Sequence, residues 1–189
     1  MQPTAISQLI RKRRSIFPKT YINQPIAKEI IEEVLENANW APTHKMTEPW
    51  RFKVLVDDAL IRLRDWQVDW YHKNTPPEKF SDKKLQKLQT KPLKAGCMIA
   101  ICMQRNEKAR IPEWEEIAAV ACAVQNMWLT TTAYNIGAYW SSPGYIRDIG
   151  PFLNLKEGER CLGFFYMGHH ETPEVPANRQ SIKDKVEWL

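Results

Sequence analysis

Three short stretches carry side chains whose types and spacing suit chemistry. The first is RKRRS, Arg11 to Ser15: four consecutive cations and then a hydroxyl. A planar guanidinium meets a phosphate or carboxylate with two parallel hydrogen bonds, and Ser15 adds a donor. A solvated basic helix end has the same composition, so residue type alone leaves both readings open. The second is WAPTHKMTEPWRF, Trp40 to Phe52, a connection holding His44, Lys45, two prolines and two tryptophans. Loops loaded in this way often line sites, although His44 by itself is as readily a surface histidine. The third is YWSSPGY, Tyr139 to Tyr145. There Trp140 can flank a planar ring and Ser141 and Ser142 can donate hydrogen bonds; a plain turn would look similar.

Other chemistries are excluded by what is missing. The chain has only seven glycines and contains neither GxGxxG nor GxxxxGK[ST] nor GxSxG. A dinucleotide-binding Rossmann domain is therefore improbable, and a bound phosphate must be held by cationic side chains. The four cysteines, Cys97, Cys102, Cys122 and Cys161, form no CxxC pair and lie at no ligand spacing to the histidines. They read as buried reduced thiols rather than a disulfide framework or zinc site.

The elements that must position these residues fit one compact domain, 1–189, with enough length for a real core. Aromatic content of 11% and apolar runs throughout the chain exclude disorder. No run is long enough to cross a membrane and no secretory signal is evident, so a cytoplasmic location is expected. A helix is predicted from Pro3 to Arg14, stopped by Pro18, and a second from Ala27 to Asn39 with Ile30, Ile31, Val34, Leu35 and Ala38 on one face. A strand over Arg51 to Val56 and a helix over Ala59 to Tyr71 follow. The Lys-rich stretch His72 to Lys94 reads as an exposed, mobile flap. Cys97 to Met103 reads as a strand buried on both faces. Pro112 opens a long helix closed at Gly137. It is apolar nearly all round from Ile117 to Leu129, which places it at the centre of the molecule or in a subunit interface. Strands over Ala138 to Ser141 and Cys161 to Met167 flank a turn and short helix, Gly144 to Leu155. The tail, Glu171 to Leu189, holds Pro173 and Pro176 and ends in VEWL, which needs a surface to pack against. Uneven crossovers, and two initial helices with no strand between them, favour α+β.

In this order the pieces resemble the flavin mononucleotide (FMN) dependent nitroreductase family, closest to its small single-domain members. The resemblance rests on RRS at Arg13 to Ser15, APTHKMTEPWRF at Ala41 to Phe52, IPEWEEIAAVACAVQNM, IGAYWSSPG and LGFFYMGH. It implies an α+β three-layer sandwich, a mixed central sheet flanked by helices, and a domain-swapped homodimer with FMN at the interface. Arg13, Arg14 and Ser15 would hold the ribityl phosphate and pyrimidine edge, with Arg179 also on the phosphate. Trp40 and His44 would come from the second chain, and Trp140, Ser141 and Ser142 would lie along the isoalloxazine. Thr130 to Asn135 would touch the nicotinamide cofactor. The implied reaction is ping-pong: NADH or NADPH gives hydride to flavin N5, and a small-molecule acceptor such as a nitroaromatic or quinone takes the electrons. The flavin does the chemistry, so no protein nucleophile is required. A cation near flavin N1 would come from Arg14 or Lys19, because Phe17 stands where many members have a basic residue. The alternatives are another flavin reaction on this scaffold (flavin fragmentation or reductive dehalogenation) and flavin binding without turnover. Nucleic-acid binding through RKRR and the Lys-rich stretch is disfavoured, since acids alternate with the bases elsewhere and no stacking aromatics accompany them. Neither a nucleic-acid nor a membrane partner is expected.

Overall fold

A computed structural model describes residues 4–171 and 176–189. Its centre is a four-stranded sheet in the order β1-β2-β4-β3. These strands are β1 (Trp50–Leu55), β2 (Cys97–Gln104), β3 (Ile136–Ser141) and β4 (Glu159–His169). The helices are α1 (Ala5–Lys12), α2 (Lys28–Asn39), α3 (Asp58–Asn74), α4 (Asp82–Thr90), α5 (Glu113–Ala133) and α6 (Gly150–Leu153). The expected start of the first helix at Pro3 lies outside the described residues, as does Pro173. Thr4 caps that helix instead, its side chain accepting from the Ser7 N–H.

Alternation along the strands divides the sheet into two faces, as a period of two requires. Ile99, Ile101, Phe165 and Met167 face one layer, where they pack with Val34 of α2 and Val120, Ala123 and Met127 of α5. Met98, Ala100, Cys102, Phe164 and Tyr166 face the other, with Leu60 and Leu63 of α3 and Ile149 and Leu153 around α6. This is the expected three-layer α+β sandwich. α5 backs the sheet, and its first turn carries Glu113, Glu115 and Glu116 where the helix dipole favours acids.

Three expectations need correction. The stretch 72–94 is not a flap: it contains the end of α3 and all of α4, and a helical hairpin results. Ser81 caps α4 by accepting from the Lys84 N–H, the Tyr71 and Phe80 rings pack with centroids 5.1 Å apart, and Pro92 is buried. Second, every strand pairing is antiparallel among the described residues rather than mixed. The hairpin explains why. One crossover helix would return the chain parallel to β1, whereas two helices out and back deliver β2 antiparallel. β2 and β3, joined by α5 alone, do run in the same direction, but β4 is inserted between them. Third, the long helix is closed by Asn135 in the left-handed region (φ 54), not by Gly137. Gly137 lies in β3, where a Cβ would come within 2.8 Å of both Ile16 and His170.

Candidate functional site

The site is built on the outer edge of β3. Beyond α1, the chain from Arg13 to Phe17 runs along this edge and is fastened at each step. The Trp128 indole of α5 donates to the Arg14 carbonyl (3.2 Å), and the Arg13 guanidinium lies 4.5 Å over the same indole. Ile16 N–H donates to the Ala138 carbonyl of β3 (3.0 Å), and the Tyr21 hydroxyl donates to the Ile16 carbonyl (2.9 Å). The close approach at Gly137 makes this docking possible.

The tail brings Arg179 into the same neighbourhood. Burial, with Arg179 and then Arg14 nearby, pulls the Arg13 pKa below its ordinary value. No ion pair with a carboxylate neutralises Arg13 or Arg179 among the described residues. Like charges repel, so Arg13 and Arg179 side by side suit an anion between them.

Beside this cluster, the Phe17 ring packs on Tyr139 at 5.0 Å and Tyr139 stacks on Tyr166 at 4.9 Å. The Lys91 ammonium sits over both tyrosines, 4.7 and 4.9 Å from their centroids. Burial, and secondarily Lys87, lower its pKa. The Tyr139 hydroxyl is buried without a hydrogen-bond partner. Lys19 is exposed on its own short turn, so Lys91 is the amine placed against β3. Lys91 lay hidden in the misread flap. Ser81 as a cap, Leu85 and Leu88 at helical spacing and Pro92 as a stop were the signals that would have exposed α4 and the lysine at its end.

Trp140, Ser141 and Ser142 are set by a bulge. The register of β2 against β4 shifts between Ile101 and Cys102, leaving Leu162 as the extra residue of β4. Its carbonyl receives the Trp140 indole N–H and the Ser142 hydroxyl, both at 3.4 Å. Gly163 has φ 145, and a Cβ there would come within 2.4 Å of the Trp140 indole nitrogen. Alternation puts Ser141 on the Tyr139 face, while the Trp140 ring packs into the α5 layer.

Trp40 and His44 lie elsewhere. The Trp40 indole, exposed to solvent, donates to Glu36 (2.9 Å). His44 Nδ1 is paired with Glu115 in the first turn of α5, and Lys45 donates to the Ala109 carbonyl (3.0 Å). The backbone around them is held in unusual conformations: Lys45, Met46 and Glu48 all have positive φ. From Glu115 to Trp128 the helix rises about 20 Å at ~1.5 Å per residue. Within one chain, then, Arg13, Arg14, Ser15 and Arg179 gather beside β3, the strand that leads to Trp140, Ser141 and Ser142. His44 lies at the opposite end of α5, whereas Trp40 follows Asn37 of α2, which is hydrogen-bonded to Asn126 and Thr130 of α5. The N-terminal half of α5 exposes Trp114, Ile117, Ala121 and Cys122. The segment Thr130 to Asn135 offers little to a ligand: the Thr130, Thr131 and Thr132 hydroxyls all donate to carbonyls of their own helix. Among the described residues no cluster of three metal-ligating side chains occurs, and no helix is long and apolar enough to cross a membrane.

This fold is shared with solved nitroreductase-like proteins. A nitroreductase-like protein from Bacillus cereus superimposes with a TM-score of 0.82 at 25% identity, over 100% of this chain and 98% of that one. The FMN-dependent nitroreductase NfnB from Mycobacterium smegmatis, solved with NADPH, shares the fold at a TM-score of 0.78 and 17% identity, over 98% of each chain. The model of the nitroreductase family matches residues 10–169, and the chain belongs to that family. Among sequence relatives, the Bacillus subtilis protein named "Putative NAD(P)H nitroreductase YfhC" is 28% identical over 97% of this chain and 94% of its own length. Iodotyrosine deiodinase 1 of Sus scrofa is 31% identical over 89% of this chain, which spans 64% of the deiodinase.

Proposed function

We propose that the protein is an FMN-dependent NAD(P)H oxidoreductase that reduces nitroaromatics, quinones or similar acceptors, working as a homodimer with its cofactor between two chains. The observation that carries this reading is the convergence of Arg179 on Arg13 and Arg14 with no carboxylate ion pair on Arg13 or Arg179. Such a cluster suits a phosphate monoester. The β3 edge beside it suits the ring: it offers hydroxyls, an indole and the Lys91 amine.

When bound, FMN supplies reversible two-electron chemistry between the nicotinamide and the acceptor. Arg13, Arg14 and Arg179 hold the phosphate, with Ser15 as a further donor. Lys91, held over Tyr139 and Tyr166, would supply the positive charge beside the ring that Phe17 cannot. Tyr139 and Tyr166 hold this amine in place through their ring faces. Ser141 and Ser142 line the ring, and Trp140 braces that strand through the Leu162 carbonyl. Trp40 and His44 act from the second copy. Two chains packed through the exposed apolar face of α5, with the helices antiparallel, bring the His44 end of one against the Arg13 end of the other.

The test is the absorbance spectrum of the purified protein, with FMN added back if needed. Flavin bands bleached by NADH or NADPH and restored by menadione are expected, with a dimeric mass. A colourless, monomeric protein that cannot be reconstituted with FMN overturns the reading. The deiodinase likeness supports a second reading, reductive dehalogenation on the same site. Halide release from a halogenated phenol, faster than reduction of a nitroaromatic, would select it.

A further inference from the structure

The strands beneath the bulge hold a pair of thiols that the redox site does not use. Cys102 of β2 and Cys161 of β4 are directly opposed in register. Residues so opposed have Cα atoms about 4.5–5.5 Å apart, within the roughly 4.4–6.8 Å that a disulfide accepts. Both face the α3–α6 layer, and each alters the other's acidity by hydrogen bonding. Both thiols are buried, but only Cys161, 7% exposed against 0% for Cys102, forms part of the wall of an open cavity of about 830 Å³, with Ile146, Gly150, Leu155 and Leu162. Arg147, Lys156, Glu159 and Arg160 complete the polar part of its lining.

We propose that Cys102 and Cys161 form a peroxide-reactive dithiol, with Cys161 as the attacking thiol and Cys102 as the resolving one, closing to a cross-strand disulfide. The Cys161 thiolate attacks one oxygen of hydrogen peroxide. The O–O bond breaks, hydroxide leaves and takes up the thiol proton as water, and Cys161 carries a sulfenic acid. The Cys102 sulfur, giving up its proton, then attacks Cys161 Sγ. The S–O bond breaks, a second water leaves, and the S–S bond forms. The two thiols give up the two electrons that reduce the peroxide. The hydrogen bond between the two thiols keeps their sulfurs side by side, and the contact lowers the Cys161 pKa; access to the cavity makes Cys161 the one that meets peroxide. Cys97 provides an internal control. It lies on β2 too, but faces the α5 layer, and burial pushes its thiol up to about 12.

The bond would sit directly behind Leu162, whose carbonyl holds Trp140 and Ser142. The dithiol chemistry itself does not depend on the flavin reading, so its test needs no turnover. The purified full-length protein, without nicotinamide, is titrated with hydrogen peroxide and mapped by tandem mass spectrometry. Expected are a Cys102–Cys161 cross-link reversed by dithiothreitol, with Cys97 still reduced. In Cys102→Ser, peroxide should leave a Cys161 sulfenic acid that dimedone traps. In Cys161→Ser, loss of the Cys102 thiol should slow at least about tenfold, because Cys102 is fully buried and does not line the cavity. Persistence of both thiols in excess peroxide overturns the proposal. So does oxidation confined to Cys122, the exposed cysteine, or equal oxidation of Cys102 with and without Cys161.

Discussion

The two faces of the sheet do different work. Toward α2 and α5 the strands present Ile99, Ile101, Phe165 and Met167, and the facing helices answer with aliphatic and small side chains. Toward α3, α4 and α6 they present Tyr139, Tyr166, Cys102 and Cys161, and meet Tyr21, Tyr145, Gln67 and Lys91. Both faces are held by area removed from water, and the second adds aromatic stacking and a few directed polar contacts. The lesson is that the tyrosines, the opposed thiols and Lys91 sit on a face whose apolar packing, like that opposite, keeps the sheet rigid.

The sharpest way to break this contrast is on the apolar face. Phe165→Ala removes a fully buried ring that packs edge-on to Trp128. It should cost about 3–5 kcal/mol in urea unfolding, since the surrounding layer closes a cavity only partly. Arg13→Ala tests the edge of the polar site. FMN affinity, measured by flavin fluorescence, should fall roughly ten- to a hundredfold, the loss of a ~1.5–3 kcal/mol charged donor. The denaturation midpoint of the FMN-free protein should move far less. Equal shifts in both measurements would make Arg13 a structural cation for Trp128 rather than a phosphate ligand.

Two tyrosines on the polar face should behave differently from each other. The Tyr145 hydroxyl donates to Gln67 (2.7 Å), whose amide in turn donates to the Leu88 carbonyl. Tyr145→Phe leaves a buried acceptor without its donor and should cost about 1–3 kcal/mol. Tyr139→Phe removes a buried hydroxyl that has no partner. Its stability should stay within about 0.5 kcal/mol of the parent or rise, because only an unsatisfied group is lost. A large loss in Tyr139→Phe would mean that its hydroxyl is satisfied after all.

The smallest effect is a pH slope. The pKa of Lys91 in the fold lies below its ordinary 10.5, so as pH rises the unfolded chain keeps this proton longer. Stability relative to Lys91→Met should therefore be flat at lower pH and rise as pH climbs through the folded pKa toward 10.5. Denaturant melts of both proteins across that window check the sign. A difference that falls with pH would place a hidden anion against Lys91.

Much of this was legible in the residues. The alternation of CMIAICM and CLGFFYM marks two strands buried on both faces, and the stripe of α2 and the apolar length of α5 mark the layer behind them. RRS, THK and WSSPG stand out as the candidate site because connections so loaded with cations, hydroxyls and aromatics often line sites. α4 is harder to read: most of its residues are good helix formers, but Leu85 and Leu88 are its only apolar positions, too few to mark a buried face in a Lys-rich stretch. The end of α5 was misplaced because Asn135 takes the left-handed conformation usually given to glycine.

The sequence by itself determined the class of fold, the location of the cations and hydroxyls, and the family to which they point, since these follow from local spacing and side-chain type. Only the tertiary structure decided that Arg179 returns to Arg13, that Lys91 stands over two tyrosines, and that Cys102 faces Cys161. Each of those contacts joins residues far apart in the chain. They are fixed by strand register, by the direction in which a helical hairpin returns the chain, and by the close approach that Gly137 and Gly163 permit, none of which is encoded in a local pattern.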